Sequence, residues 1–127
     1  MNIKTLVILL FASTGAYASG LSYEQAKARA DHDEASLTSA QTGALIGSQG
    51  TASGASFSNC PPATPHPDLS PFTVVMELNV TGKVVRTWLK GNSAIAVCFN
   101  EQMSHKSLFK PPRVPFYTSF EMTWQGA

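Results

Sequence analysis

The residues able to do chemistry are few and stand apart. Histidines occur at His32, His66 and His105, each alone and without a second ligand at metal-binding spacing. His105 falls near the end of a predicted helix, where a cation is favoured by the helix dipole. The many serines include no Gly-x-Ser-x-Gly elbow, so a serine hydrolase is not expected. Glu77, Glu101 and Glu121 lie on three separate predicted elements. Glu77 and Glu121 share the polar side of their strands, where two carboxylates could meet and serve glycosidic chemistry. No cleft-forming bulk surrounds them, so they read as solvated strand faces. The expectation is a protein with no catalytic residues, no metal and no cofactor.

That leaves Cys60 and Cys98. In an oxidising compartment a lone pair forms one disulfide, and a small core gains from such a staple. A Cys60–Cys98 bridge is therefore expected, the alternative being two buried free thiols. The compartment follows from the first residues. Lys4 is followed by an apolar run from Leu6 to Ala12 and by Ala16-Tyr17-Ala18, the pattern of a secretory signal peptide cut after Ala18. The apolar run is far shorter than the roughly 18 residues a membrane span needs. The mature chain is thus expected in the periplasm or outside the cell, with no membrane span.

With 127 residues the chain has room for one domain, and a net charge of +1 argues against nucleic acid as a partner. The charge is uneven. From residue 19 to residue 70, Lys27 and Arg29 face Glu24, Asp31, Asp33, Glu34 and Asp68. Beyond it, Lys83, Arg86, Lys90, Lys106, Lys110 and Arg113 outnumber Glu77, Glu101 and Glu121. The basic C-terminal part is suited to an anionic partner.

Positions 19–58 read as a weak helix followed by a flexible linker. Ser22 and Gln25 form a capping box, and an Ala-rich charged stretch runs on to Leu37 with few large apolar residues. From Thr42 to Asn59 the sequence is Gly, Ser, Thr and Ala, a linker composition. Positions 59–71 form a stiffer, proline-rich linker, "CPPATPHPDLSP".

The folded part is expected at 72–127. Phe72 to Val80 alternates, Thr81-Gly82 offers a turn, and Lys83 to Leu89 is β-branched and aromatic, which together predict a hairpin. Asn92 or Ser93 then caps a helix running to about His105, with Ile95, Cys98, Phe99, Gln102 and Met103 on one face. "PFYTSFEMTW" closes the chain as a strand. Phe116, Thr118, Phe120, Met122 and Trp124 line its core side; Tyr117, Ser119, Glu121 and Thr123 line the outward one. The fold class is therefore α+β: a β-β-α-β unit with a three-stranded antiparallel sheet and one covering helix, preceded by a flexible linker.

This order resembles the C-terminal domain of TonB-family energy transducers, and more nearly its Cys-containing AgmX/PglI-type variant. Val74 to Val85 with Gly82, the helix "SAIAVCFNEQMSHKSLF" with Cys98, and Phe109-Lys110-Pro111-Pro112 before the last strand carry the likeness. It implies a small sheet in the cell envelope that binds another envelope or secreted protein without catalysis. Strand addition at an open sheet edge is the expected mode. Tyr117, Ser119, Glu121 and Thr123, on the last strand, are the expected partner-binding residues. The alternative is a secreted inhibitor or immunity-type protein that blocks a toxin or envelope hydrolase, inserting the disulfide-pinned proline loop.

Overall fold

The computed structural model describes residues 20–62 and 64–124; the signal-peptide expectation for positions 1–18 lies outside them. Six elements follow in order: α1 (Tyr23–Ala35), α2 (Ser39–Ser58), β1 (Phe72–Leu78), β2 (Val84–Lys90), α3 (Ala94–Met103) and β3 (Phe116–Met122). The expected β-β-α-β unit is present as an α+β fold. Its antiparallel sheet has the order β2-β1-β3.

The hairpin turn demands Gly82. Its φ is +89°, and a Cβ there would run into the carbonyls of Leu108 and Phe109. That approach is useful, because Leu108 N–H donates to Gly82 O at 2.8 Å and Val84 N–H to Lys106 O at 3.0 Å. The loop after α3 thus pairs with the first residues of β2.

β3 joins the far side of β1, which makes β1 central and sets Val74 between Leu89 and Phe120. Phe72, Val74, Met76 and Leu78 project onto one sheet face, where they pack with Ile95, Phe99 and Met103 of α3. Phe57 reaches into the same layer from α2, with its ring centroid 4.5 Å from Phe99.

The largest departure from the sequence reading lies at positions 42–58. The stretch expected as a flexible linker is most of a 20-residue helix, α2. Thr38 caps it, with Gln41 closing a full capping box. Its Ser and Thr hydroxyls are absorbed by the helix's own carbonyls, as in Ser48 to Leu45 and Ser56 to Ala52. Leu45, Ala52, Ser53 and Ser56 are buried. Such small residues let α2 lie close against α3, and Ser56 Oγ reaches Met103 Sδ at 3.3 Å. Tertiary burial, not propensity, holds this helix.

α1 is also packed. Ala26 and Ala30 are buried against Val75 and Tyr117 on the second face of the sheet. The sheet is therefore sandwiched, with α1 on one face and α2 with α3 on the other; more than one helix covers it. Among the described residues no helix is long and apolar enough to cross a membrane.

Cys60 and Cys98 are bridged, with Cα atoms 5.8 Å apart and a sequence separation of 38. A loop of that length is worth ~4 kcal/mol in the chain-entropy account. The bridge ties the start of the proline-rich strap, positions 60–71, to α3. Asp68 orders the far part of that strap by accepting from the Ser70 hydroxyl and N–H, and these bonds lower its carboxyl pKa.

α2 holds unused stability. A Cβ added at Gly43, Gly47, Gly50 or Gly54 would meet nothing within 4 Å. Gly50→Ala and Gly54→Ala should each stabilise the fold by roughly 0.5–1 kcal/mol, read by urea unfolding. A flexible segment would show no gain.

Candidate functional site

A sheet presents its chemistry at its edges, and here the two edges differ. β3 pairs with β1 on one side, which leaves the N–H groups of Tyr117 and Ser119 pointing away from the sheet. α1 fills that side with carboxylates. Asp33 Oδ2 accepts the Tyr117 N–H at 2.9 Å, and Glu34 Oε1 accepts the Ser119 N–H at 2.8 Å. Gln49 of α2 donates to Ser119 O at 3.2 Å and to Thr118 Oγ1 at 2.8 Å. Side chains thus occupy the positions that an added strand would take.

The expected partner-binding residues are placed accordingly. Tyr117 does not face outward: it is 3% exposed, under α1. Its hydroxyl donates to Glu77 at 3.2 Å, Trp88 packs beside the ring, and the Arg29 guanidinium lies over it at 5.4 Å. Ser119 is half-buried beneath Glu34. Glu121 and Thr123 remain exposed, and Glu121 pairs with Lys27 at 3.3 Å. The outward face of the last strand is therefore a packed layer as far as Ser119. Alternation distinguished two faces but not the helix that covers the second.

β2 is open. After Lys83 and Val84, whose pairing with 106–108 closes the start of the strand, Val85 to Lys90 bonds only to β1 among the described residues. Strand alternation fixes which groups are free. Tyr117 and Ser119 face away from β1, so β3 bonds through Phe116, Thr118, Phe120 and Met122. Their partners Leu78, Met76, Val74 and Phe72 are committed to β3, which leaves Val75 and Glu77 to bond Trp88 and Arg86. The main-chain groups of Thr87 and Leu89 consequently point outward, with no partner among the described residues.

Along this edge Arg86, Trp88 and Lys90 project on the α1 side, and Thr87 and Leu89 on the α3 side. Trp88 Nε1 donates to Leu21 O at 2.9 Å, which fixes its ring. Lys90 Nζ sits over the Tyr23 ring at 5.6 Å. Beside it, a cleft of about 590 Å³ opens between α1 and the end of the sheet, lined by Tyr23, Lys27, Lys90, Glu121 and Thr123. Arg86 and Lys90 have no carboxylate at ion-pair distance among the described residues. Arg86 Nη1 is shielded from solvent with no acceptor.

The remaining chemistry-bearing residues stay apart. Glu77 lies opposite Tyr117 and Glu121 opposite Thr73, so the two carboxylates do not meet. His105 contacts Glu101 at 3.0 Å and His32 lies 3.5 Å from Asp33. Among the described residues no three His, Cys, Asp or Glu side chains stand together as a metal site. Comparison of the chain with protein-family models, curated proteins and solved structures finds no match.

Two measurements probe this construction. Asp33→Ala strands a buried main-chain N–H and should cost about 1–3 kcal/mol. Asp31→Ala, on the exposed side of α1, should stay within about 0.5 kcal/mol. Equal losses in urea unfolding would reject the edge-closing role. The second is alkaline titration. Burial, then the charge of Glu77, raises the Tyr117 pKa above its ordinary value, while Arg29 opposes. The Lys27 pKa is raised mainly by its hydrogen bond to Asp31. Both folded values lie above the unfolded ones, so their stabilisation is complete below the unfolded pKa and is lost as pH rises. Stability should fall above about pH 10, and less steeply in Tyr117→Phe. Identical profiles for the two proteins would count against the assignment.

Proposed function

We propose that this chain is a non-enzymatic interaction module of the periplasm or the secreted space, akin to TonB C-terminal domains. It binds an extended segment of another envelope or secreted protein by adding it to the outer edge of β2. One observation carries the reading: the edge of β3 is filled by Asp33, Glu34 and Gln49, whereas Val85 to Lys90 is left, among the described residues, with unpaired main-chain groups. Natural sheets blunt their edges, so a long open one is a template for another chain. Strand addition takes affinity from main-chain hydrogen bonds and specificity from alternate side chains. The Cys60–Cys98 bridge supports an oxidising compartment.

The inhibitor reading draws on a different observation. The proline-rich strap is exposed at Pro61, Pro62, Thr64, Pro65 and His66 and anchored by the disulfide, as an inserted loop would be. The two readings use opposite parts of the molecule and separate by mutation.

Thr87→Pro is the discriminating change. Its N–H points away from β1, so proline keeps the ladder to β1 while removing a donor from the free edge. In a pulldown from envelope extract the variant should retain its circular dichroism spectrum and lose the partner. Deleting Pro61 to Pro65 should leave capture intact. Capture that survives Thr87→Pro and fails in the strap deletion would move the function to the strap.

A further inference from the structure

The side chains flanking the free edge specify what kind of segment it takes. On an added strand, the residues opposite Arg86, Trp88 and Lys90 lie on the α1 side of the sheet, with Cβ atoms ~5 Å from their neighbours. Two of those neighbours are cations. Arg86 has a nitrogen that neither solvent nor an acceptor reaches, and the nearest carboxylate across the sheet, Glu77, takes the Tyr117 hydroxyl instead. Lys90 is exposed and, among the described residues, its ammonium rests over the Tyr23 ring with no carboxylate partner. Between them Trp88 is pinned by Leu21 O, so its ring offers an apolar surface. Opposite charges facing each other across a ladder stabilise it, and like charges destabilise it.

We propose that the edge of β2 recognises an extended acidic segment in which two carboxylate side chains, four positions apart, flank an apolar residue midway between them. The carboxylates stand opposite Arg86 and Lys90 and the apolar side chain opposite Trp88. The pattern is the same read in either direction, so it holds for parallel and antiparallel addition. This inference rests on strand addition at β2; the partner's acidity is the new element.

Fluorescence anisotropy of the full chain with short labelled β-branched peptides tests it. The peptides carry glutamate, glutamine or lysine at the two flanking positions, and each is also made with N-methyl groups on the amides that would face β2. The glutamate peptide should bind roughly tenfold more tightly than the lysine peptide. That preference should shrink with salt and in Arg86→Gln or Lys90→Gln alone, and disappear in the double variant. N-methylation should abolish binding of every peptide. If the glutamine or lysine peptide binds as tightly as the glutamate one and N-methylation still blocks it, strand addition stands and the acidic preference is overturned. Glutamate binding that tolerates N-methylation overturns strand addition itself, and the acidic-segment proposal with it. No binding by any peptide rejects both. A homodimer that Thr87→Pro dissociates would assign the edge to a second copy and overturn the acidic partner.

Discussion

Two adjacent carboxylates at the end of α1 decide how this molecule is built. Asp33 and Glu34 accept the outward N–H groups of β3, a task normally done by another strand. Charge-assisted bonds from backbone N–H to carboxylate are stronger than neutral ones, and α1 needs that strength. Its buried surface is little more than Ala26 and Ala30, too small to fix a helix by apolar contact. Asp33 also receives Arg113 at 3.1 Å, and the Arg113 guanidinium lies over the Phe116 ring at 5.7 Å. One side chain therefore joins the helix, the edge of the sheet and the turn that leads into β3. Because α1 is held there, Tyr117 is buried and β2 carries the only long free edge among the described residues.

The opposite face is held by other means. There the aromatic cluster of Phe57, Phe72, Phe99 and Phe120 supplies the apolar contact, with ring centroids from 4.5 to 6.5 Å apart. α2 contributes Phe57 and Leu45 to this face, but its other buried residues are small; they permit a close approach and contribute little area each. The disulfide offsets part of that deficit by shortening the unfolded chain between α2 and α3. A polar clamp on one face and an aromatic core with a covalent tie on the other hold a sheet that is only three strands wide.

Much of this was readable from the residues. The period-two pattern of Phe72 to Leu78 and of Phe116 to Met122 matches strands with a true core face, and Gly82 marks the turn that joins β1 to β2. Ile95, Phe99 and Met103 fall on the buried side of α3 as their spacing requires. α2 was harder to read, because apart from Leu45 and Phe57 its inner face is Ala and Ser, while its outer face carries Gly and the exposed Ile46, so hydrophobic contrast is weak. The Thr38 and Gln41 capping box was its one local signal. The edge closure was not readable at all. Asp33 and Tyr117 lie 84 positions apart, and no local pattern reveals that a helix carboxylate will meet a strand N–H.

An open edge must also be kept from joining its own copies, and β2 has features suited to that. The register slips between Glu77 and Leu78, and such a bulge twists the strand at the point where loop 106–108 takes over. Beyond it, Arg86 and Lys90 stand on the same side of the strand. Two copies pairing antiparallel about Trp88 would set Arg86 against Lys90 twice, an arrangement that repels. Charges on an edge strand are a common guard against aggregation. Here the same charges would attract a strand of opposite sign, so the feature suited to deter self-association would, on the proposed reading, also select the partner. A neutral edge with the same free main-chain groups would have neither property.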